Sequence, residues 1–383
     1  MRILPRQAVY QTEMTLRQRL WQINWSLVFL ITVIGGVGVA MLYSAGGGSM
    51  EPWASRQLVR FVFGLFAMFV IAVVDIRVWL RYAYVIYGLS LILLVVVELF
   101  GSIGMGAQRW IRFGALQVQP SEVMKIALAL ALARYFHRVN IEDIGRPLYL
   151  LAPILMVFAP AALVLKQPDL GTAVMLLGGG AAIFFLAGVR LWKFGVVTVL
   201  GLAAIPIGWN FLHEYQRQRI LTFIDPESDP LGAGYHILQS QIAFGSGSVF
   251  GKGYLQGTQS HLNFLPERHT DFIFTMLAEE FGLVGGLLVI LLFALLMVYG
   301  LAVSVRSRNH FGRLLAMGVT ATILLYVFIN AAMVMGLVPV VGVPLPLISY
   351  GGTAMLTVLA GCGFLMNVYV HRDVRIGRHA GES

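Results

Sequence analysis

Apolar runs about 20 residues long recur from one end of this chain to the other, and they decide what it can become. A helix rises 1.5 Å per residue, so about 20 residues cross the ~30 Å hydrocarbon core of a bilayer. Ten such runs are read, at 24–44, 57–75, 82–100, 121–137, 148–165, 170–188, 193–211, 280–304, 314–335 and 350–371. In lipid the backbone has no water to bond, so each run must satisfy its own polar groups as a helix. The fourth and sixth runs open with an acidic residue soon after a proline, which keeps nine and eleven spans open as alternatives. Charged residues make up 12% of the chain and hydrophobic ones 58%. A soluble domain carries about 25% charged residues. The expected fold is an all-α polytopic membrane protein, with about ten transmembrane helices in one bundle spanning residues 1–383.

Orientation follows from basic residues, which collect on the cytoplasmic side of a membrane. Most of the 27 Lys and Arg residues fall on one side if residues 1–23 and the tail 372–383 are both cytoplasmic. The net charge of +9 then reflects topology. It does not point to nucleic acid, because no exposed basic patch is interleaved with aromatics. The first run is long enough to span, so it reads as a signal anchor without a cleaved leader. Met14, Leu16, Leu20 and Trp21 beside Arg17 and Arg19 predict a short amphipathic helix on the membrane surface. The single cysteine, Cys362, lies in the last run and excludes an internal disulfide.

Most connections are short. The exception is 212–279, expected as a large extracytoplasmic loop between spans seven and eight; loops of this length are usually functional or disordered. Its many apolar residues argue for structure. Tyr235–Phe244 has helical apolar spacing, and Gly245-Ser-Gly-Ser-Val-Phe-Gly-Lys-Gly253 after it reads as a glycine hinge.

Polar side chains near lipid are costly and mark sites. The densest cluster is Leu265-Pro-Glu267-Arg268-His269-Thr270-Asp271-Phe-Ile-Phe274. Asp271 is a candidate general base, and the competing reading is that Thr270 or Asp271 caps the next helix. His269 is either its proton partner or a solvated loop histidine. Gln119-Pro-Ser-Glu122 and Gln167-Pro-Asp169 each start a helix, as Pro followed by an acid does. Glu122 and Lys125 are three apart on one face, an opposite-charge pair that is either structural or in contact with an ionic substrate. Lys166 beside Asp169 repeats the theme. Arg109 and Arg112 read as a phosphate site with Trp110 at the interface, or as an interfacial anchor. Arg217 and Arg219 add cations at the start of the long loop. Pro344-Leu-Pro-Leu-Ile-Ser349-Tyr-Gly-Gly-Thr353 predicts a broken segment that shapes a cavity or a packing elbow. There is no CxxC, HExxH, Walker or Rossmann pattern, which argues against nucleotide-driven chemistry.

Six of these segments, in this order, resemble the SEDS (shape, elongation, division and sporulation) family. They are Gly106-Ala-Gln-Arg-Trp110, Gln119-Pro-Ser-Glu-x-x-Lys125, Gln167-Pro-Asp-Leu-Gly-Thr172, Asp229-Pro-Leu-Gly-Ala-Gly-Tyr235, Leu265–Phe274 and Pro346-Leu-Ile-Ser-Tyr-Gly-Gly352. Gly251–Ser260 and Pro266-Glu-Arg268 are most similar to the elongation branch. The resemblance implies a peptidoglycan glycosyltransferase of the cytoplasmic (inner) membrane that polymerises lipid II on its outer face during cell elongation. It implies that Asp271 is the general base of an inverting transfer releasing undecaprenyl pyrophosphate. Arg109, Trp110, Glu122, Lys125, Asp169, Arg217, Arg219, Glu267, His269 and Ser349 are the expected substrate-binding residues. No cofactor is fixed, and a divalent cation (Mg or Mn) fits beside the leaving group. The implied partners are a class B penicillin-binding protein (transpeptidase), other elongation-complex proteins and membrane lipid. The rival readings are a lipid II flippase and a non-catalytic scaffold.

Overall fold

The computed structural model describes residues 14–104, 107–113, 116–140, 142–210, 214–225, 233–262 and 267–377. A short helix α1 (Leu16–Trp21) is opened by a Thr15–Gln18 capping box. Its Leu16, Leu20 and Trp21 are exposed, while Arg19 reaches Asp75 at 3.3 Å. The segment is helical, as expected. Long helices follow: α2 (Trp25–Ala45), α3 (Ala54–Val73) and α4 (Ile76–Phe100). After a small sheet come α5 (Pro120–Arg138), α6 (Pro147–Lys166), α7 (Leu170–Ala187) and α8 (Leu191–Trp209). Shorter helices α9 (Glu214–Ile224), α10 (Ala233–Ser246) and α11 (Thr258–His261) lead to α12 (Ile273–Arg306), α13 (His310–Val334) and α14 (Gly352–Val370).

Each of the ten expected spans coincides with one of these long helices. Eight are long and apolar enough to cross a membrane. The other two are α5 and α8. In α5 the charges of Glu122, Lys125, Arg134 and Arg138 lower the mean hydropathy. Its surroundings compensate, because α5 packs against α4, α6, α7, α13 and α14 and is buried along most of its length. Helix α8 is apolar along its length apart from Lys193 near its start. The chain is a multi-pass membrane protein. Exposed Phe63, Phe66, Ile92, Leu155, Leu200 and Leu291 form the outer, lipid-facing surface of the bundle.

Two features depart from a plain bundle. Between α4 and α5, strands β1 (Ser102–Gly104), β2 (Ala107–Phe113) and β3 (Leu116–Val118) form an antiparallel sheet in the order β1-β2-β3. Gln108-Arg-Trp-Ile-Arg-Phe113 alternates in polarity over too few residues to announce a strand by itself. The second is a break in α12 at Gly282, whose φ of 65° is left-handed. The helix before it, 273–281, is almost wholly buried and precedes the apolar span proper.

The glycine run after α10 is not a hinge. It lies across the α12 break and bonds to it like a strap. Lys252 N and Gly253 N donate to the carbonyls of Glu279 and Glu280, both at 3.0 Å, and Leu283 N and Val284 N donate to Ser248 and Val249. A Cβ at Gly251 or Gly282 would run into the opposing backbone. Glycine is needed here for close approach, with φ of 81° and 65° respectively.

Candidate active site

Asp271 sits one residue before Phe272, the N-cap of α12. The N-cap position falls to Phe272, which makes no side-chain cap bond, and not to Thr270 or Asp271. Thr270 instead donates to Glu267 Oε2 at 2.8 Å. The Asp271 carboxylate lies over the bare Cα of Gly342, where an added Cβ would be 3.4 Å from Oδ2.

The backbone around Asp271 is held at three successive carbonyls. Tyr350 N donates to His269 O at 2.8 Å. Ser349 Oγ donates to Thr270 O at 2.6 Å. Asn330 Nδ2 donates to Asp271 O at 2.9 Å and also to Val343 O at 2.8 Å. Ser349 Oγ in turn accepts from Leu345 N at 2.8 Å, and its carbonyl accepts from Gln57 Nε2 at 2.9 Å. The Pro/Gly segment 343–350 is therefore a jig. It fixes the main chain of the candidate base against α3 and α13. Its cost is visible at Leu347, which adopts a left-handed φ of 63°.

His269 stacks on Trp53, with ring centroids 4.5 Å apart and planes 16° from parallel. Burial pushes its pKa down from the ordinary 6.5, partly opposed by Glu267. The Arg60 guanidinium lies 4.9 Å from the centroid of Tyr350. Burial likewise lowers the pKa of Arg268.

A second polar cluster lies inside the bundle. Lys125 Nζ bonds Glu122 Oε1 at 2.7 Å and Tyr326 Oη at 2.5 Å, and the Tyr326 hydroxyl donates to Glu122 Oε2. All three side chains are buried. An ion pair out of water is tolerable only when its remaining hydrogen-bonding positions are filled, and Tyr326 fills one on each partner. Asp169 caps α7, accepting from Thr172 N at 3.2 Å and Thr172 Oγ1 at 2.9 Å. Gln119 Nε2 adds a third bond at 3.1 Å. Lys166, read in sequence as its companion, is exposed. Arg109 Nε donates to Gln167 O at 3.0 Å, and its Nη2 donates to Pro168 O. That places Arg109 as a clamp between β2 and the α6–α7 turn, with Trp110 half-buried beside it. Arg217 donates to Trp209 O and Asn210 O at 3.0 and 3.1 Å. The side chain of Arg219 lies outside the described residues, as do Leu265 and Pro266. The fold thus gathers Glu267, His269, Asp271 and Ser349 in one place, sets Glu122 and Lys125 in the interior, and leaves Arg217 on α9.

Two groups escaped the sequence reading. Asn330 and Tyr326 are four residues apart on α13, with Thr322 four further back. A polar residue within an apolar span is itself a signal. Glu279 and Glu280 had no role in that reading. Glu279 Oε1 accepts from Lys252 Nζ at 2.8 Å and Gln259 N at 2.9 Å, and Glu280 accepts from Ser44. They anchor the strap and α2 to the buried half of α12. Among the described residues no three acids, histidines or cysteines gather to hold a metal ion.

An apolar groove of about 310 Å³ opens between α3, α4, α5 and α14. It runs from Val118 and Thr353 at one end to Ile71, Trp79 and Phe364 at the other. Helices α3 and α4, though consecutive, barely touch, and this leaves the groove its open side.

The family model described as a cell cycle protein (FtsW, RodA, SpoVE) matches residues 19–374. Peptidoglycan glycosyltransferase MrdB of Escherichia coli K12 is 48% identical over 342 residues, covering 87% of this chain and 90% of that protein. Stage V sporulation protein E of Bacillus subtilis is 36% identical over 355 residues, covering 89% and 95%. Among solved structures, a chain from a study of how a peptidoglycan synthase complex coordinates polymerization and crosslinking superposes with a TM-score of 0.78. It is 33% identical, and the match covers 91% of this chain and 98% of that one. The rod shape determining protein RodA of Thermus thermophilus gives 0.70 at 30% identity, covering 91% and 97%.

Proposed function

The chain belongs to the FtsW, RodA and SpoVE family of cell cycle proteins, and from that membership we propose how its geometry makes glycan. It is a peptidoglycan glycosyltransferase of cell elongation. Its substrate in this reading is lipid II, taken on the outer face of the cytoplasmic membrane, with both termini inside. Asp271 removes the proton from the 4-hydroxyl of the acceptor N-acetylglucosamine. That oxygen attacks C1 of the donor N-acetylmuramic acid. The bond from C1 to the pyrophosphate oxygen breaks, and undecaprenyl pyrophosphate departs with the electron pair. One displacement inverts the anomeric centre, so a single base suffices. The leaving group is already an anion and needs stabilisation by cations, not protonation. The apolar groove between α3, α4, α5 and α14 suits its polyprenyl tail. A divalent cation, where used, would be carried chiefly by the phosphate oxygens.

One observation carries this reading. The three carbonyls at 269, 270 and 271 are each bonded from a separate donor. A carboxylate on so firmly held a backbone is arranged for chemistry. The interior Glu122–Lys125–Tyr326 cluster fixes α5 to α13 beneath it. The likeness to a chain of a peptidoglycan synthase complex supports an assembly, and a class B penicillin-binding protein supplying crosslinks is the partner proposed.

The test uses purified protein with fluorescent lipid II, with and without the transpeptidase. A general base contributes ~10²–10⁴-fold, so Asp271→Ala should lose polymerisation by about that factor and keep its fold. Glycan made by Asp271→Ala at the wild-type rate would remove Asp271 from the mechanism. No glycan from wild type, partner present, would favour lipid transport or scaffolding instead.

A further inference from the structure

A pyrophosphate leaving group calls for cations, and several of the cations nearest to hand are turned onto other partners. Arg109 and Arg217 donate to backbone carbonyls, and Lys125 is enclosed with Glu122 and Tyr326. Arg60 is different. It projects from the second turn of α3 and is half-buried. Its guanidinium lies 4.9 Å from the centre of the Tyr350 ring. It also rests against Gly352, where a Cβ would stand 3.2 Å from both Cζ and Nε. Among the described residues it takes part in no hydrogen bond or ion pair. A cation thus lies between an aromatic ring and bare backbone, with its five N–H donors uncommitted among the described residues. Holding the fork in place beforehand lowers the entropy lost on capturing a phosphate.

Its position gives this a purpose. Tyr350 N bonds His269 O, two residues before Asp271. Thr353, next to Gly352, lines one end of the apolar groove. Arg60 therefore stands where a channel for an apolar chain meets the candidate base.

We propose that Arg60 is a substrate-binding residue that grips the pyrophosphate of a prenyl-linked sugar donor, while Tyr350 and Gly352 hold its guanidinium in register. This rests on the glycosyltransferase reading and adds to it the residue that receives the departing charge. Gly352 belongs to the device, because a Cβ there would make the guanidinium give by a few tenths of an ångström.

The test measures affinity for farnesyl pyrophosphate, a short prenyl pyrophosphate, on purified full-length protein in neutral detergent. Wild type, Arg60→Ala, Arg60→Lys and Gly352→Ala are compared, with farnesol as the uncharged control. Losing a charge-assisted bond pair predicts affinity about ten- to a hundredfold weaker in Arg60→Ala, with farnesol unaffected. Arg60→Lys keeps the charge without the fork and should fall between the two, as should Gly352→Ala. The KM for lipid II should rise in the same order. Should Arg60→Ala not fold, as judged by thermal unfolding, Arg60→Lys decides: affinity equal to wild type overturns the proposal. Unchanged farnesyl pyrophosphate affinity in a folded Arg60→Ala also overturns it. Displacement of farnesyl pyrophosphate by phosphatidylglycerol would make this a lipid-headgroup site and overturn it too. Wild type that binds farnesyl pyrophosphate but makes no glycan would fault the glycosyltransferase reading and leave the assignment of Arg60 supported.

Discussion

At the scale of single residues, the arrangement around Asp271 separates a group that reacts from groups that aim it. Asn330 is wholly buried, and one amide nitrogen serves both Asp271 O and Val343 O. Asn330→Ala should lower kcat about ten- to a hundredfold while KM for lipid II stays near wild type, since small misplacements of a reacting group cost rate more than binding. Asn330→Asp replaces the donors with oxygens facing two carbonyls and should be at least as damaging. A rise in KM at constant kcat would show that Asn330 acts on substrate capture instead. Ser349, expected to meet substrate, has its hydroxyl engaged with Thr270 O and Leu345 N. That part of the site was not legible in sequence, because the bond from Ser349 to Thr270 joins residues 79 positions apart.

At the scale of elements, the broken α12 is where helix, strap and site meet. Gly251 has a left-handed φ of 81°, and a Cβ there would strike the Glu280 carbonyl. Gly251→Ala should therefore destabilise the protein by at least ~1–2 kcal/mol from backbone strain alone. Gly245→Ala, six residues earlier in α10 with open space around it, should be neutral or stabilising. Thermal unfolding of the two variants in detergent checks the contrast; equal effects would mean the strap does not depend on close approach. The helices themselves were legible because each apolar run carries its own signal, whatever its neighbours do. The β1-β2-β3 sheet was not, because its strands are too short for alternation to announce them, and the Gly282 break and the docked strap were not, because each exists only through pairing with the other. Asp271, Glu122 and Lys125 stood out as charges beside lipid. Arg60 did not, since an arginine near a helix end looks like an interfacial anchor.

At the scale of the whole molecule, His269 bridges α3 through Trp53 and the segment before α14 through Tyr350. Burial holds its pKa below the ordinary 6.5. The unfolded chain then binds the proton more readily than the folded one. The stability this residue contributes is present above pH 6.5 and is lost as the pH falls from there through the lowered value. The unfolding temperature of wild type should drop across that acid window, and His269→Gln should flatten the drop; an equally steep fall in His269→Gln would place the sensitivity elsewhere. The gap between α3 and α4 has a broader consequence. A site entered sideways from the bilayer samples its donor in two dimensions. Its throughput would follow the number of carrier molecules per unit of membrane area, so that diluting the surface with inert lipid slows synthesis even when the total amount of carrier in the flask is unchanged.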